Sequence, residues 1–167
     1  YTGMRKGELM ALTEEDLYYD QQNACYMISI TKTYSTVGNK KMITTPKTKK
    51  AVRGISIPDF LYFDLMAYIK RVPGMKPTDR IFPVNSTYLN DAMISMYKKH
   101  PEIRQIKVHD LRHSHASMLI HMNVDIATLS YRLGHENIST TLDTYSHMYG
   151  NSQKDVADQL EPKNFKF

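Results

Sequence analysis

The sequence predicts an α+β domain, mainly α-helical, with a small three-stranded antiparallel sheet. The runs that read as strands, rich in β-branched and aromatic residues, lie in the first 57 positions. From residue 59 onward the apolar residues recur at helical spacing. At 167 residues and 41% hydrophobic content, the chain has room for one domain with a real core.

Taken in order, residues 1–12 read as a short helix whose apolar positions are Met4, Leu9 and Leu12. Arg5 and Glu8 are three apart in it, so they share a face, and Glu8 is expected to orient the guanidinium. A strand is expected over 13–20, carrying Leu17, Tyr18 and Tyr19, and a second over 24–34. Residues 37–50 read as a polar, lysine-rich loop holding Gly38, Asn39 and Pro46. A third strand over 51–57 is ended by Pro58. Asp59 is expected to cap a helix over 60–71 that buries Phe60, Leu61, Leu65 and Tyr68, with Val72-Pro73-Gly74 as its breaker. Asn85 or Ser86 can cap a helix running to about Lys99, with Pro101 beyond its end. The spacing of Val108, Leu111, His115, Met118 and Met122 predicts a helix over 108–122 with that face on the core. Asp125 caps the next helix, which turns Ile126, Leu129 and Leu133 inward, and Gly134 suits a left-handed residue after it. Ser139 opens a helix with Leu142 and Tyr145 that ends near Gly150. Residues 151–160 form a short amphipathic tail segment with Val156 and Leu160 on one face, followed by Phe165 and Phe167. That face is expected to dock, either on the domain's own core or on a neighbouring protomer. There is no internal repeat, low-complexity tract or second domain.

A net charge of +5 favours an anionic partner, nucleic acid first. The charge is uneven. Residues 21–58 contain no acidic side chain and seven basic ones: Lys32, Lys40, Lys41, Lys47, Lys49, Lys50 and Arg53. Such a one-signed hairpin is either a solvated loop or a finger laid on phosphates, with Lys40, Lys41, Lys49, Lys50 and Arg53 as the DNA-contacting set. The lone Cys25 excludes an internal disulfide and fits a reducing compartment. No signal peptide or membrane-spanning run is visible, so a membrane partner is not expected. The chain opens at Tyr1 with a dense motif within five residues, and so reads as a fragment of a longer protein.

The chemistry concentrates in residues 108–149. A His-x-x-Arg pair (His109, Arg112), a Leu-Gly-His turn (Leu133, Gly134, His135) and Tyr145 fall within forty residues. A phosphodiester is already anionic, and attack on it builds further negative charge, which preorganised cations must stabilise when no metal does so. Arginine suits this because it stays protonated and grips two oxygens at once. Arg112 is one such clamp and Arg5 the best candidate for a second. Tyrosine is a poor nucleophile at its ordinary pKa of about 10, so it needs a proton acceptor or nearby positive charge. His109 shares a helical face with Arg112 and can accept the proton. A lysine of the basic hairpin can protonate the departing 5′ oxygen. His135 can donate a hydrogen bond to the phosphate. His113, His115 and His121 read as structural or surface residues, and Tyr149 is the nearest rival to Tyr145 as nucleophile. His109 and His113 are spaced i, i+4, but no Glu lies between them as in a His-Glu-x-x-His zinc site, so no metal is expected.

At these residues the chain resembles the catalytic domain of the tyrosine recombinases, most closely the integrases of phages and conjugative elements. The match includes Thr-Gly-Met-Arg-Lys-Gly-Glu-Leu at 2–9, Pro-Lys-Thr at 46–48 and Ile-Ser-Ile-Pro at 55–58. It continues with His-Asp-Leu-Arg-His at 109–113, Leu-Gly-His at 133–135 and Thr-Leu-Asp-Thr-Tyr-Ser-His at 141–147. Any one box is weak, and all of them in this order are specific.

The resemblance implies the tyrosine recombinase catalytic-domain fold. It makes Arg5 and Arg112 the phosphate-clamping arginines, Lys47 the general acid, His109 and His135 the active-site histidines and Tyr145 the nucleophile. Lys49 and Lys50 lie beside Lys47 as alternative acids. The implied reaction forms a 3′-phosphotyrosyl link and needs no metal, nucleotide or other cofactor. The implied partner is double-stranded DNA, bound as a homotetramer by the full-length protein, with the isolated fragment monomeric. The implied location is the bacterial cytoplasm, at the nucleoid during action. The family's core-site-binding domain and the first catalytic-domain helices would precede residue 1, and residues 151–167 would be a C-terminal tail. A type IB topoisomerase uses similar chemistry but only relaxes DNA, and a non-catalytic DNA-binding relative is a third reading.

Overall fold

The structure, a computed structural model, describes residues 1–37, 40–46, 48–149, 157–158 and 160–161. A short helix, α1 (Lys6–Ala11), leads into the strands β1 (Leu17–Asp20), β2 (Cys25–Ile30), β3 (Thr33–Val37), β4 (Lys40–Thr44) and β5 (Arg53–Ile57). Three of them form an antiparallel sheet in the order β1-β2-β5, with Ile28 opposite Leu17 on one side and Ile55 on the other. Every second residue of β2 and β5 faces inward. Ile28, Ile30, Ile55 and Ile57 therefore pack with Leu12, Ile69 and Ile81 in one core cluster.

The expected 37–50 loop is largely a second, separate hairpin, in which β3 pairs antiparallel with β4. The single strand expected over 24–34 breaks at Thr31 and Lys32. Lys32 turns away from any phosphate-facing role: its Nζ lies 3.0 Å from Asp16 Oδ2 and 2.7 Å from Thr13 Oγ1.

The rest is helical: α2 (Asp59–Lys70), α3 (Ser86–Lys99), α4 (Asp110–His121), α5 (Ile126–Leu133) and α6 (Ile138–Tyr145). Asp59 lies inside α2, with Pro58 at the cap position. Its inward line is Leu61, Tyr62, Met66 and Ile69, which leaves Phe60 and Tyr68 exposed against expectation. Asn85 caps α3 and Asp125 caps α5, each through a side-chain oxygen on a backbone N–H three residues on. The helix expected to open at Ser139 starts one residue before it and ends at Tyr145, where a single 3-10 turn, Ser146–Met148, takes over. No described helix is long and apolar enough to cross a membrane. The tail residues Val156, Phe165 and Phe167 lie outside the described residues, as does Lys47.

One expectation is overturned in the main. Of the face expected on the core, His115 is buried, but Leu111 is 50%, Met118 43% and Met122 65% exposed. The buried line is Arg112, His115, Ala116 and Ile120. Ala116 and Ile120 join Leu129, Leu133 and Tyr145 in a second core cluster formed by α4, α5 and α6. The helix is thus rotated so that polar groups go inside, and those groups build the site.

Candidate active site

Helix α5 ends in carbonyls that no later helical N–H can satisfy. Gly134 follows it in the left-handed conformation, φ 68°, and the Gly134 N–H closes on Tyr131 O at 2.9 Å. A Cβ at Gly134 would stand 2.6 Å from Arg53 Nη1, so glycine is needed both for the turn and for the close approach. Three successive carbonyls then accept from three arginines. Arg132 O takes Arg53 Nε at 2.8 Å, Leu133 O takes Arg112 Nη2 at 2.6 Å and Gly134 O takes Arg5 Nη2 at 3.0 Å. The negative end of the helix dipole adds to the attraction. Residues 129, 79 and 21 positions apart in sequence are drawn together at one helix end.

Glu8 completes the clasp. Its Oε1 accepts from Arg5 Nη1 at 3.0 Å and from Arg53 Nη1 at 3.1 Å, and its Oε2 from Arg53 Nη2 at 3.0 Å and the Arg5 backbone N–H at 2.8 Å. Burial alone would raise the Glu8 carboxyl. Hydrogen bonding and charge from Arg53, with help from Arg5, outweigh it and hold the group below the ordinary carboxylate range. The Arg53 side chain is 0% exposed, which corrects its expected place among the DNA-contacting cations. It is a strut between Glu8 and α5. Of the other basic residues in that set, Lys40, Lys41 and Lys50 are exposed, and Lys49 opens a 3-10 turn, Lys49–Ala51.

Arg112 is buried and anchored a second time, to Gly3 O at 2.7 Å. Desolvation, then the charge of Arg5, lowers its pKa to about 10, so it remains a cation at neutral pH. His115 packs beneath Gly3 and accepts from Arg132 Nε at 3.1 Å. Burial, then the Arg132 charge, lowers its pKa to about 4.

His135 follows directly on the capped helix end. Its Nδ1 lies 2.8 Å from the hydroxyl of buried Thr141. Burial, then the charges of Arg112, Arg5 and Arg53, lowers its pKa to about 4, so the ring is neutral at pH 7. If Thr141 donates to Nδ1, the ring proton sits on Nε2, free to be given to a ligand.

Tyr145 ends α6 and is only 4% exposed. Burial raises its phenol pKa, and the charge of Arg112 works against that rise, so the two groups sense one another. Its hydroxyl lies 2.7 Å from His113 Nδ1. His109, expected to serve the tyrosine, stands at the N-cap position of α4, its ring centroid 5.3 Å from that of His113 with the ring planes nearly perpendicular. Tyr149, the rival nucleophile, turns its hydroxyl away, to Val124 O at 3.2 Å.

The structure thus brings Arg5, Arg112, His135 and Tyr145 together, with His109 at the margin. Sequence reasoning passed over His113 and Thr141. His113 shares a face with His109 by its i, i+4 spacing, but it follows Arg112 directly, so the shared face with Arg112 that singled out His109 did not point to it.

The phage integrase family model matches residues 1–151, a span containing every residue of this site. The chain belongs to the phage integrase family. It is 31% identical over 178 residues to the ICEBs1 integrase of Bacillus subtilis (strain 168), covering 96% of this chain and 46% of that protein. It is 27% identical to a tyrosine recombinase XerC-like protein of Caldanaerobacter subterraneus subsp. tengcongensis, covering 95% of this chain and 46% of that one. The chain therefore spans about half the length of these relatives. Among solved structures, the Tn1549 transposon integrase in complex with transposon right end DNA superposes with a TM-score of 0.71 at 24% identity, over 96% of this chain and 55% of that one. The XerH site-specific recombinase bound to difH substrate gives 0.62 at 20%, over 98% and 44%. Both share the fold described here.

Proposed function

We propose that this chain is the catalytic region of a site-specific DNA recombinase that cuts and rejoins strands through Tyr145, without metal or nucleotide. The observation that carries this reading is the anchoring of Arg5 and Arg112 to adjacent carbonyls, beside a neutral His135 and within electrostatic reach of Tyr145. Each guanidinium has more N–H donors than its described contacts use, so both can grip a phosphate without reorganising. His135 gives it a further hydrogen bond from Nε2. The Tyr145 oxygen then bonds to phosphorus, the bond to the 5′ oxygen breaks and Lys47 protonates that oxygen. The Lys47 role rests on the resemblance. The link retains the phosphodiester's bond energy, so rejoining is the reverse reaction. The names of the relatives, and the DNA held by the Tn1549 and XerH structures, support double-stranded DNA as the partner. Exposed Lys40, Lys41 and Lys50 would follow its backbone, and the full-length protein would act as a homotetramer.

The test is a nicked duplex bearing the protein's recombination site, which traps the covalent intermediate because the short 5′ fragment diffuses away. The parent should form an adduct that maps to Tyr145, and Tyr145→Phe should form none while still binding DNA. Adducts surviving in Tyr145→Phe, or mapping to Tyr149, would refute the assignment.

A further inference from the structure

The strand-transfer reading requires Lys47 to meet the 5′ oxygen while Arg5 and Arg112 hold the phosphate, yet the lysine lies far from both arginines in the chain. Proton transfer needs the donor within hydrogen-bond reach, and a misplacement of about 1 Å can cost about 10²-fold in rate. The hairpin must therefore be set against the clamp. Described residues on both sides of Lys47 are fastened to α1, the helix that begins at Arg5 and carries Glu8.

On the C-terminal side, Lys47 is one peptide bond from Thr48. The Ala51 N–H returns to Thr48 O at 3.2 Å and closes the 3-10 turn Lys49–Ala51. Ala51 is buried, and its carbonyl accepts from Arg53 Nη1 at 2.9 Å. The same guanidinium reaches both oxygens of Glu8 on α1, and Arg132 O at the end of α5. An arginine has five N–H groups, and four contacts inside the protein occupy this fully buried one. Arg53 is thus committed inward. It fastens the turn after Lys47 to the carboxylate and the helix end that also hold Arg5.

On the N-terminal side, the hairpin starts with β3, which lies directly on α1. A Cβ at Gly7 would stand 2.5 Å from Thr33 Oγ1 and 2.9 Å from Tyr34 O, so helix and strand come this close only because position 7 has no side chain. The Arg80 guanidinium covers the Tyr34 ring at 4.2 Å, and its Nη1 donates to Met10 O of α1 at 3.2 Å.

We infer that Arg53 and Gly7 are positioning residues, which fasten both ends of the lysine-bearing segment to α1 so that one helix sets the general acid and the Arg5 clamp together. This rests on the strand-transfer reading above and supplies the support for its acid step.

Such ties imply a specific defect. When one is released, the clamp still grips the phosphate and Tyr145 still attacks, but the departing 5′ oxygen lacks its proton. A bridging sulfur in its place leaves as a thiolate, whose thiol ionises at about 8.5, and needs no proton. A collapsed clamp would slow both substrates alike.

The experiment measures covalent adduct formation by the full-length protein on two nicked duplexes, one with the ordinary scissile phosphate and one with sulfur as the bridging 5′ atom. Arg53→Lys keeps a cation opposite Glu8, but one ammonium cannot reach Glu8, Ala51 O and Arg132 O together. Gly7→Ala leaves Arg53 in place and pushes on β3. Alanine favours a helix over glycine, so this variant decides the matter if Arg53→Lys does not fold. Each should slow adduct formation on the oxygen duplex by on the order of 10–10² and return to within a few-fold of the parent on the sulfur duplex. Lys47→Ala should show the same rescue, and Arg112→Ala should not. If Lys47→Ala is rescued while Arg53→Lys or Gly7→Ala is equally slow on both duplexes, the inference is overturned and the strand-transfer reading stands. A folded variant of either kind that matches the parent on the oxygen duplex also overturns it. If Lys47→Ala is not rescued, the acid assigned in that reading falls, and the inference falls with it.

Discussion

Replacing Glu8 with Gln tests whether the site is held together by one carboxylate. The change keeps the side-chain volume and removes a charge whose environment is 3% exposed. Four donors converge on the two oxygens, three of them from the guanidinium groups of Arg5 and Arg53. In Glu8→Gln, Arg53 stays fully buried without a counter-ion, and one amide group faces donors with donors. Removing one member of a buried pair costs about 3–5 kcal/mol, because the other charge is left uncompensated. For a domain of this size, ~1 kcal/mol corresponds to about 2–4 °C in Tm, so a fall of ~6–20 °C is expected at pH 7.

The pH dependence follows from the direction of the Glu8 shift. Its folded pKa lies below the unfolded value of about 4.3, so its contribution is complete above that pH and is lost as pH falls through the folded pKa. The gap between parent and Glu8→Gln should therefore narrow below about pH 4. Thermal unfolding followed by circular dichroism measures both quantities. A loss of under about 3 °C at pH 7, or a gap that persists unchanged in acid, would refute the clasp.

Three further predictions address the turn and its histidines. Thr141→Val removes the hydroxyl at His135 Nδ1 while keeping the shape, and adduct formation should slow by about 10–100-fold, by analogy with the outer partners of metal-bound histidines. Gly134→Ala forces a side chain into φ 68° and against Arg53, costing at least about 1–2 kcal/mol from the backbone alone, and an unchanged Tm would contradict it. His115 and His135 have folded pKa values lowered to about 4, so the unfolded chain binds more protons between about pH 6.5 and pH 4. Stability should fall as pH drops through that window. Urea midpoints at pH 7 and pH 5 should differ by less in His115→Gln than in the parent.

Much of this site is legible in the sequence because its boxes are local. Arg5 with Glu8, Leu133-Gly134-His135 and the cap at Asp125 each announce a geometry within a few residues. The strands that carry Ile28, Ile30, Ile55 and Ile57 are equally plain from their β-branched and aromatic content. What is not legible depends on how elements cross. Arg53 sits in a run of lysines and reads as one more surface cation, and only the approach of β5 to the end of α5 turns it inward. His109 shares a face with Arg112 and His113 does not, yet the packing of α6 on α4 sets His113 rather than His109 against the tyrosine.

Helix α4 shows why hydrophobic periodicity misleads at such a place. The periodicity puts Leu111, His115 and Met118 inside, yet of these only His115 is buried, and Arg112 is buried beside it. Burying a guanidinium is costly unless its N–H groups find acceptors. The end of α5 supplies one, since the Leu133 carbonyl beside buried Gly134 has no helical partner of its own. Gly3 O supplies the other. Each group removes the other's desolvation penalty, so Arg112 is both the cap of a buried helix end and a cation preorganised for an anion. The same holds for Arg5 at Gly134 O, one carbonyl further on. Stability and phosphate binding therefore draw on the same N–H groups. The helix rotates toward its polar face because the acceptors are there, and the apolar stripe is left to the surface.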